Sequence, residues 1–329
     1  MRICVSGGCG FIGSNFIKSI IDKPEVERVI NLDCLTYAGS LLNTESLESH
    51  DKYRFEKVDV RDKDGVTEVM SDYAVTHVVN MAAESHVDRS IAEPSDFLTT
   101  NFLGTFNMLQ CFMDQCAGDY SGKRFLQVST DEVYGSILRE SFEEDSVLRP
   151  NSPYSASKAS ADLLVRSYHV TYGLPALITR CSNNYGPYQF PEKLVPVVIQ
   201  AALEGRSIPV YGEGRNIRDW IHVSDHCTAL WQVLTRGVIG DIYNIGASNE
   251  RSNLDLVREL CQLVDPASVD LITFVPDRKG HDYRYSINWS KLYRETLWTP
   301  KHDGFKDTVD WYKANQDWVK KVAGHKVRA

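Results

Sequence analysis

The sequence predicts an α/β fold: a Rossmann-type doubly wound parallel sheet with a smaller mixed α/β lobe. Three observations predict it. Short β-like runs alternate with helical stretches through the first half of the chain, a glycine-rich turn follows the first run, and a carboxylate closes the second. The chain has 329 residues, which at roughly 150 per domain allows about two domains.

The first strand, Arg2 to Ser6, leads directly into Gly7-Gly8-Cys9-Gly10-Phe11-Ile12-Gly13, and a helix opens near Ser14. Glycines at 7, 10 and 13 permit a tight turn, close approach of backbone N–H groups to a pyrophosphate, and close packing of helix on sheet. The second strand, Val29 to Asp33, ends about 20 residues beyond Gly13, where a carboxylate can accept from an adenosine ribose diol. That charge would repel a 2′-phosphate, so NAD is expected rather than NADP. A third strand, Phe55 to Val58, leads to Asp59 and Val60, within reach of the adenine edge. The fourth, His77 to Met81, leads to Ala82-Ala83-Glu84-Ser85, whose small residues let backbone lie near the diphosphate and nicotinamide ribose.

A helix is expected over Asp96 to Gln115, then a fifth strand, Phe125 to Ser129, closing on Thr130-Asp131-Glu132. Adjacent carboxylates resist joint ionisation and split their pKa values, which suits one acid and one base. The next helix, Ser155 to Tyr172, follows Tyr154 and carries Lys158, an i, i+4 pair on one face. A nearby ammonium favours the phenolate, so Tyr154 is expected to have a lowered pKa and to act as a general base. A sixth strand spans Ala176 to Thr179. Beyond residue 182 prolines and glycines become frequent, as in Gly186-Pro187 and Gly212 to Gly214, and loops that shape a pocket are expected.

Composition narrows the function further. Hydrophobic residues make up 43% and charged residues 24%, ordinary for a globular chain, which excludes disorder, collagen and coiled coil. A net charge of -8 excludes a basic nucleic-acid coat. The apolar runs fall short of the roughly 18 residues a membrane span needs, so a soluble cytosolic protein without membrane partners is expected. The 8 cysteines contain no CxxC pair, so reduced thiols are expected rather than a metal site or disulfide framework.

The glycine loop, Asn31 to Gly39, Ala82 to Ser90, Ser129 to Gly135, Tyr154 to Lys158, Arg180 to Tyr188 and Asp277 to Asp282 together resemble an extended short-chain dehydrogenase/reductase, and within it the dTDP-glucose 4,6-dehydratases. Lys279 stands where that family usually has proline, and Ser6 where it often has threonine. The resemblance implies NAD as cofactor, held by Gly7, Gly10, Phe11, Ile12, Gly13, Asp33, Cys34, Leu35, Thr36, Asp59, Val60, Met81 to Ser85, Thr100, Asn184, Tyr154 and Lys158. It implies a closed redox cycle on a nucleotide sugar. Tyr154 takes the 4-hydroxyl proton as C4 is oxidised, Glu132 removes the C5 proton, a protonated Asp131 donates to the departing 6-hydroxyl, and the hydride returns to C6. Thr130 would bond the 4-oxygen.

The same resemblance lines the sugar nucleotide with Ser85, Asn183, Lys193, Leu194, Pro209, Val210, Tyr211, Arg218, Asn253, Asp277, Arg278 and His281, with Tyr211 stacking on the base. An anionic chain needs such local cations to hold a diphosphate; Arg215 is a further candidate. Residues 1–181 are read as the NAD-binding domain and 182–329 as mainly the sugar-nucleotide lobe, with about 220–250 returning to the first. A homodimer paired through the helices at Asp96 to Gln115 and Ser155 to Tyr172 is expected. A UDP-glucose dehydratase, a UDP-sugar epimerase or decarboxylase, and an idle NAD-binding regulator are the alternatives.

Overall fold

Strands buried on both faces read as continuous apolar runs because helices cover a parallel sheet above and below. The computed structural model describes residues 1–325. Its first half runs β1 (Arg2–Ser6), α1 (Phe11–Ile20), β2 (Arg28–Leu32), β3 (Tyr53–Glu56), α2 (Lys63–Asp72), β4 (His77–Asn80), α3 (Val87–Ala92), α4 (Pro94–Phe97), α5 (Thr105–Cys116), β5 (Arg124–Thr130), α6 (Pro153–Tyr172) and β6 (Ala176–Cys181). The second half adds β7 (Asn183–Tyr185), α7 (Leu194–Glu204), β8 (Ile208–Tyr211), β9 (Ile217–His222), α8 (Val223–Arg236), β10 (Ile242–Ile245), β11 (Glu250–Ser252), α9 (Asn253–Val264) and β12 (Ile272–Val275). Helices α10 (Ser290–Thr296), α11 (Lys306–Ala314) and α12 (Gln316–His325) complete the described chain.

Among the described residues the main sheet has 7 strands in the order β10-β6-β5-β4-β1-β2-β3. All its pairings are parallel. This is the Rossmann-type doubly wound sheet. Alternation along β1 sends Ile3 and Val5 to one face, with Phe16, Ile17 and Leu230, and Cys4 to the other, with Val78, Met108 and Phe112. Strand β10 joins the sheet beside β6, and α8 packs against α1. The second lobe has its own core, including Val195, Val198, Ile199, Leu256 and Phe305. Small sheets β11-β9-β7 and β12-β8 frame it.

The helix expected over Asp96 to Gln115 is interrupted: a π-helical stretch, Leu98–Gly104, joins α4 to α5. Such wide turns are frequent at functional sites. Here it seats Gly104 on Val60, where a Cβ would lie 2.6 Å from Val60 Cγ2. It also carries Asn101 to the segment after β4: Glu84 N–H donates to Asn101 Oδ1 at 2.9 Å, and Asn101 Nδ2 donates to the Glu84 carbonyl at 3.0 Å. No helix among the described residues is long and apolar enough to cross a membrane.

Candidate active site

Strand order reverses between β4 and β1, and the carboxyl ends of β1, β2, β4, β5 and β6 open on a cleft of about 1150 Å³. Ligands bind outside strand ends at such a switch point. The volume exceeds the range of roughly 300–1,000 Å³ usual for one drug-sized ligand, leaving room for two.

In one half of the cleft α1 begins without a side-chain cap and without an acidic residue in its first turn. Its leading N–H groups are therefore available to an anion. Gly7 has φ +72°, and a Cβ there would lie 2.9 Å from Ala82 N; at Gly13 it would lie 2.3 Å from the Gly7 carbonyl. Ser6 secures the neighbouring strand end, its Oγ accepting from Met81 N and Ala82 N at 3.1 Å each and donating to Asn80 Oδ1 at 2.6 Å. Asp33 is buried, with Oδ2 accepting from Cys9 N at 2.9 Å and Oδ1 from Leu35 N at 2.8 Å. A carboxylate has about four acceptor positions, so two remain for a diol. The donor set fits a dinucleotide.

Gly10, Phe11, Ile12, Cys34, Thr36, Asp59, Val60, Met81, Ala82, Ala83, Glu84, Thr100 and Asn184 also line this half. Leu35 does not line it. With φ +59°, its part is the backbone N–H that it gives Asp33. Asp59 is gripped by the Arg61 guanidinium at 2.7 Å.

At the centre, Thr130 caps a short 3₁₀ turn, Asp131–Tyr134, its Oγ1 accepting from Glu132 N at 3.2 Å. Burial raises the Asp131 carboxyl well above the usual range, and Glu132 and Asp219 add to the effect against Arg218 and the Thr130 hydroxyl. Burial raises Glu132 too, but Arg218, Lys193 and Arg278 oppose it. Both shift upward, but the neighbours differ in charge environment: Asp131 stands among carboxylates, whereas Glu132 faces three cations and one carboxylate, Asp282. Tyr154 and Lys158 follow on α6, whose start is fixed by Pro153 and a reciprocal Ser152–Ser155 capping box.

The expected lowering of the Tyr154 pKa is corrected. Burial raises it well above its ordinary value, with Glu132, Cys181 and Asp131 adding to the rise and Thr130 opposing it. The Lys158 ammonium is engaged elsewhere, donating to the Val128 carbonyl at 2.7 Å. Two carboxyl groups and a dry setting outweigh the i+4 cation that the spacing suggests.

The other half of the cleft is lined by Ser85, Asn183, Lys193, Leu194, Pro209, Val210, Tyr211, Arg218, Asn253, Arg278 and His281. Lys193 donates to the Ser85 carbonyl at 2.9 Å. Arg218 lies over the Tyr285 ring at 4.2 Å and donates to the Asp282 carbonyl at 2.9 Å. Arg278 pairs with Asp88 at 2.6 Å and lies over Tyr211 at 5.2 Å. Two expectations fail here. Asp277 does not line the cleft but holds His281 Nδ1 at 2.7 Å from behind. Arg215 is an exposed partner of Glu213, away from the site.

Sequence reasoning missed Tyr285, Asp282 and Asp88. Tyr285 donates to Asp282 Oδ2 at 2.7 Å beside Arg218. An aromatic three residues beyond the matched Asp277 to Asp282 segment was the available signal. It also missed Arg89, which lies over the cleft-lining Tyr37 at 4.2 Å.

Residues 4–310 match the family described as GDP-mannose 4,6 dehydratase. The dTDP-glucose 4,6-dehydratase of Neisseria meningitidis serogroup B is 45% identical, over 98% of this chain and 96% of that protein. That of Xanthomonas campestris pv. campestris is 47% identical, over 97% and 95%. Among solved structures, DesIV, a dTDP-glucose 4,6-dehydratase from Streptomyces venezuelae crystallised with NAD, superposes with a TM-score of 0.93 at 44% identity, covering 98% of this chain and all 100% of that one. A UDP-glucose 4-epimerase from Thermotoga maritima superposes with a TM-score of 0.86 at 25% identity, covering 96% and 100%.

Proposed function

The chain belongs to the dTDP-glucose 4,6-dehydratase family, and from that premise we propose that it converts dTDP-glucose to a 4-keto-6-deoxy sugar nucleotide with NAD as a recycled cofactor. The observation that carries this reading is the Thr130-Asp131-Glu132 turn facing Tyr154, with the acid and the base set apart by their surroundings. An epimerase or decarboxylase has no leaving 6-hydroxyl and needs no such pair. When bound, NAD supplies a reversible acceptor for two electrons and a hydrogen from the sugar.

In this reading Tyr154 takes the proton of the sugar 4-hydroxyl, and Thr130 holds the 4-oxygen. Burial and the nearby carboxyl groups oppose the phenolate, so the positive charge that an oxidised nicotinamide would bring close is what would favour it. A 4-ketone acidifies the C5 hydrogen, and Glu132 removes it. Asp131, neutral in its buried place, donates to the 6-hydroxyl, which leaves as water rather than hydroxide; the hydrogen taken from C4 would then return at C6, and Glu132 gives its proton back to C5. Lys193, Arg218 and Arg278 meet the diphosphate, and Asp33 meets the adenosine ribose.

A homodimer in the cytoplasm completes the proposal. Leu98, Leu103, Phe106, Leu163, Val170 and Tyr172 are exposed apolar side chains on the Leu98–Gly104 stretch, α5 and α6. Such a patch on paired helices suits a four-helix contact with a second copy.

The test is turnover of dTDP-, UDP-, CDP- and GDP-glucose by the purified chain. A 4-keto chromophore developing in alkali from dTDP-glucose, without net reduced nicotinamide, is expected. Formation of dTDP-galactose, or stoichiometric release of NADH, would contradict the proposal.

A further inference from the structure

We propose that Arg180 is a positioning residue for this reaction: it locks the acid–base turn to the helix that carries Tyr154 and Lys158. The inference rests on the dehydratase reading above. On α6 the side chains of Tyr154, Lys158 and Asp162 follow at four-residue intervals and share one buried face. Arg180, on β6, donates from Nε to Asp162 Oδ2 at 2.9 Å and from Nη1 to the Tyr134 hydroxyl at 2.9 Å. Tyr134 is the last residue of the turn that begins with Asp131. One guanidinium therefore joins the element bearing the acid and base to the element bearing the phenol.

Arg180 and Asp162 are 4% and 1% exposed, and neither lines the cleft. The Tyr134 hydroxyl passes the connection on to Asn244 Oδ1 on β10 at 2.8 Å, and its ring stacks on Phe142 at 5.0 Å. A buried ion pair yields little stability, because desolvation offsets its attraction. Its product here is geometry. The Lys158 bond to the Val128 carbonyl and the Asn101 bond to Ser157 tie the first turns of α6 to β5 and to the Leu98–Gly104 stretch, but neither reaches the Asp131–Tyr134 turn. The Asp162–Arg180 contact, one turn further on, adds a polar link from α6 to β6, and Tyr134 carries that link to the turn of Asp131 and Glu132.

Oxidation at C4 draws on the α6 groups and on Thr130 at the end of β5, whereas elimination across C5 and C6 also needs Asp131 and Glu132, within the turn, in register with them. Loosening the Arg180 contact should therefore slow elimination more than oxidation. Tyr134→Phe removes only the hydroxyl and keeps the stacked ring; Arg180→Lys keeps a charge beside Asp162 but loses the fork. NAD-loaded wild-type and variant chains would be mixed with dTDP-glucose in single-turnover experiments, following reduced nicotinamide and 4-keto product, with a thermal melt of each.

Both variants are expected to lose roughly tenfold or more in product formation, to keep their KM, and to accumulate reduced nicotinamide that the wild type does not. A lowered melting temperature with unchanged partition between oxidation and elimination would overturn the proposal, as would a rise in KM alone. If Arg180→Lys does not fold, Tyr134→Phe decides. A wild-type chain inactive on dTDP-glucose overturns the functional reading itself, whereas an active wild type with normal variants overturns only this inference.

Discussion

Asn101 Nδ2 donates to Ser157 Oγ at 2.8 Å, binding the π-helical stretch to the helix that carries Tyr154 and Lys158. The same amide holds both backbone polar groups of Glu84. One buried side chain thus ties the segment after β4 to α6, both of which contribute residues to the cleft lining. Asn101→Ala takes these bonds from the Glu84 N–H and carbonyl, at a cost of about 1–3 kcal/mol for each that stays dry, while Ser157 keeps its bond to the Tyr154 carbonyl. A melting temperature lowered by several degrees and weaker NAD binding are expected; a thermal melt with and without NAD checks both.

Glu132→Gln retains the volume of the base and removes its ability to take the C5 proton. Oxidation at C4 should survive. Overall turnover should fall by about 10²–10⁴, and reduced nicotinamide should persist on the protein, visible by absorbance in a single-turnover mix. Normal turnover would reassign the base.

Asp131 carries a pH prediction whose sign follows from its raised folded pKa. Above the unfolded carboxyl value the unfolded chain has released a proton that the folded chain retains, so stability falls as pH rises toward the folded pKa. Asp131→Asn, neutral throughout, escapes that loss. The variant should therefore melt higher than wild type at neutral pH, with the gain fading as pH falls toward about 4, while activity is lost. Paired melts across pH test this, and a gain that grew toward acid would contradict the assignment.

Asp33→Ala removes the proposed ribose acceptor and strands the Cys9 and Leu35 N–H groups. NAD affinity should drop by about tenfold or more, a loss of roughly 1.4 kcal/mol or greater, and discrimination against NADP should shrink. Calorimetric titration of both dinucleotides measures the pair of effects.

Leu163 and Val170 are 58% and 64% exposed on α6. Leu163→Glu combined with Val170→Glu should convert a dimer to a monomer in sedimentation velocity, since burying two carboxylates in an apolar contact is costly. An unchanged mass would place the interface elsewhere.

The doubly wound sheet was legible because its signals are local: alternating strand and helix patterns, Gly7 to Gly13 as a turn, and Asp33 at a strand end. The cleft residues of the first half sit at such ends, whereas those of the second half, among them Lys193, Tyr211 and Arg218, were reached only through the family resemblance. What escaped depends on long-range packing. The π-helical stretch follows from Asn101 reaching Glu84 and Gly104 meeting Val60, contacts no periodicity announces. Tyr154 seemed primed by Lys158 four residues on, yet burial beside Glu132 and Asp131 reverses the direction of its shift. Arg215 and Arg218 look alike in sequence; only strand β9 turns one into the cleft and leaves the other paired with Glu213 outside it.

The central claim is a closed redox cycle in which the hydrogen leaving C4 returns at C6. It is tested most directly by giving the purified chain dTDP-glucose bearing deuterium at C4 and reading the product by NMR. The account predicts deuterium in the C6 methyl group of a 4-keto product, with no reduced nicotinamide left over. Deuterium retained at C4 of a hexose with inverted configuration, or lost to a released NADH, would contradict it.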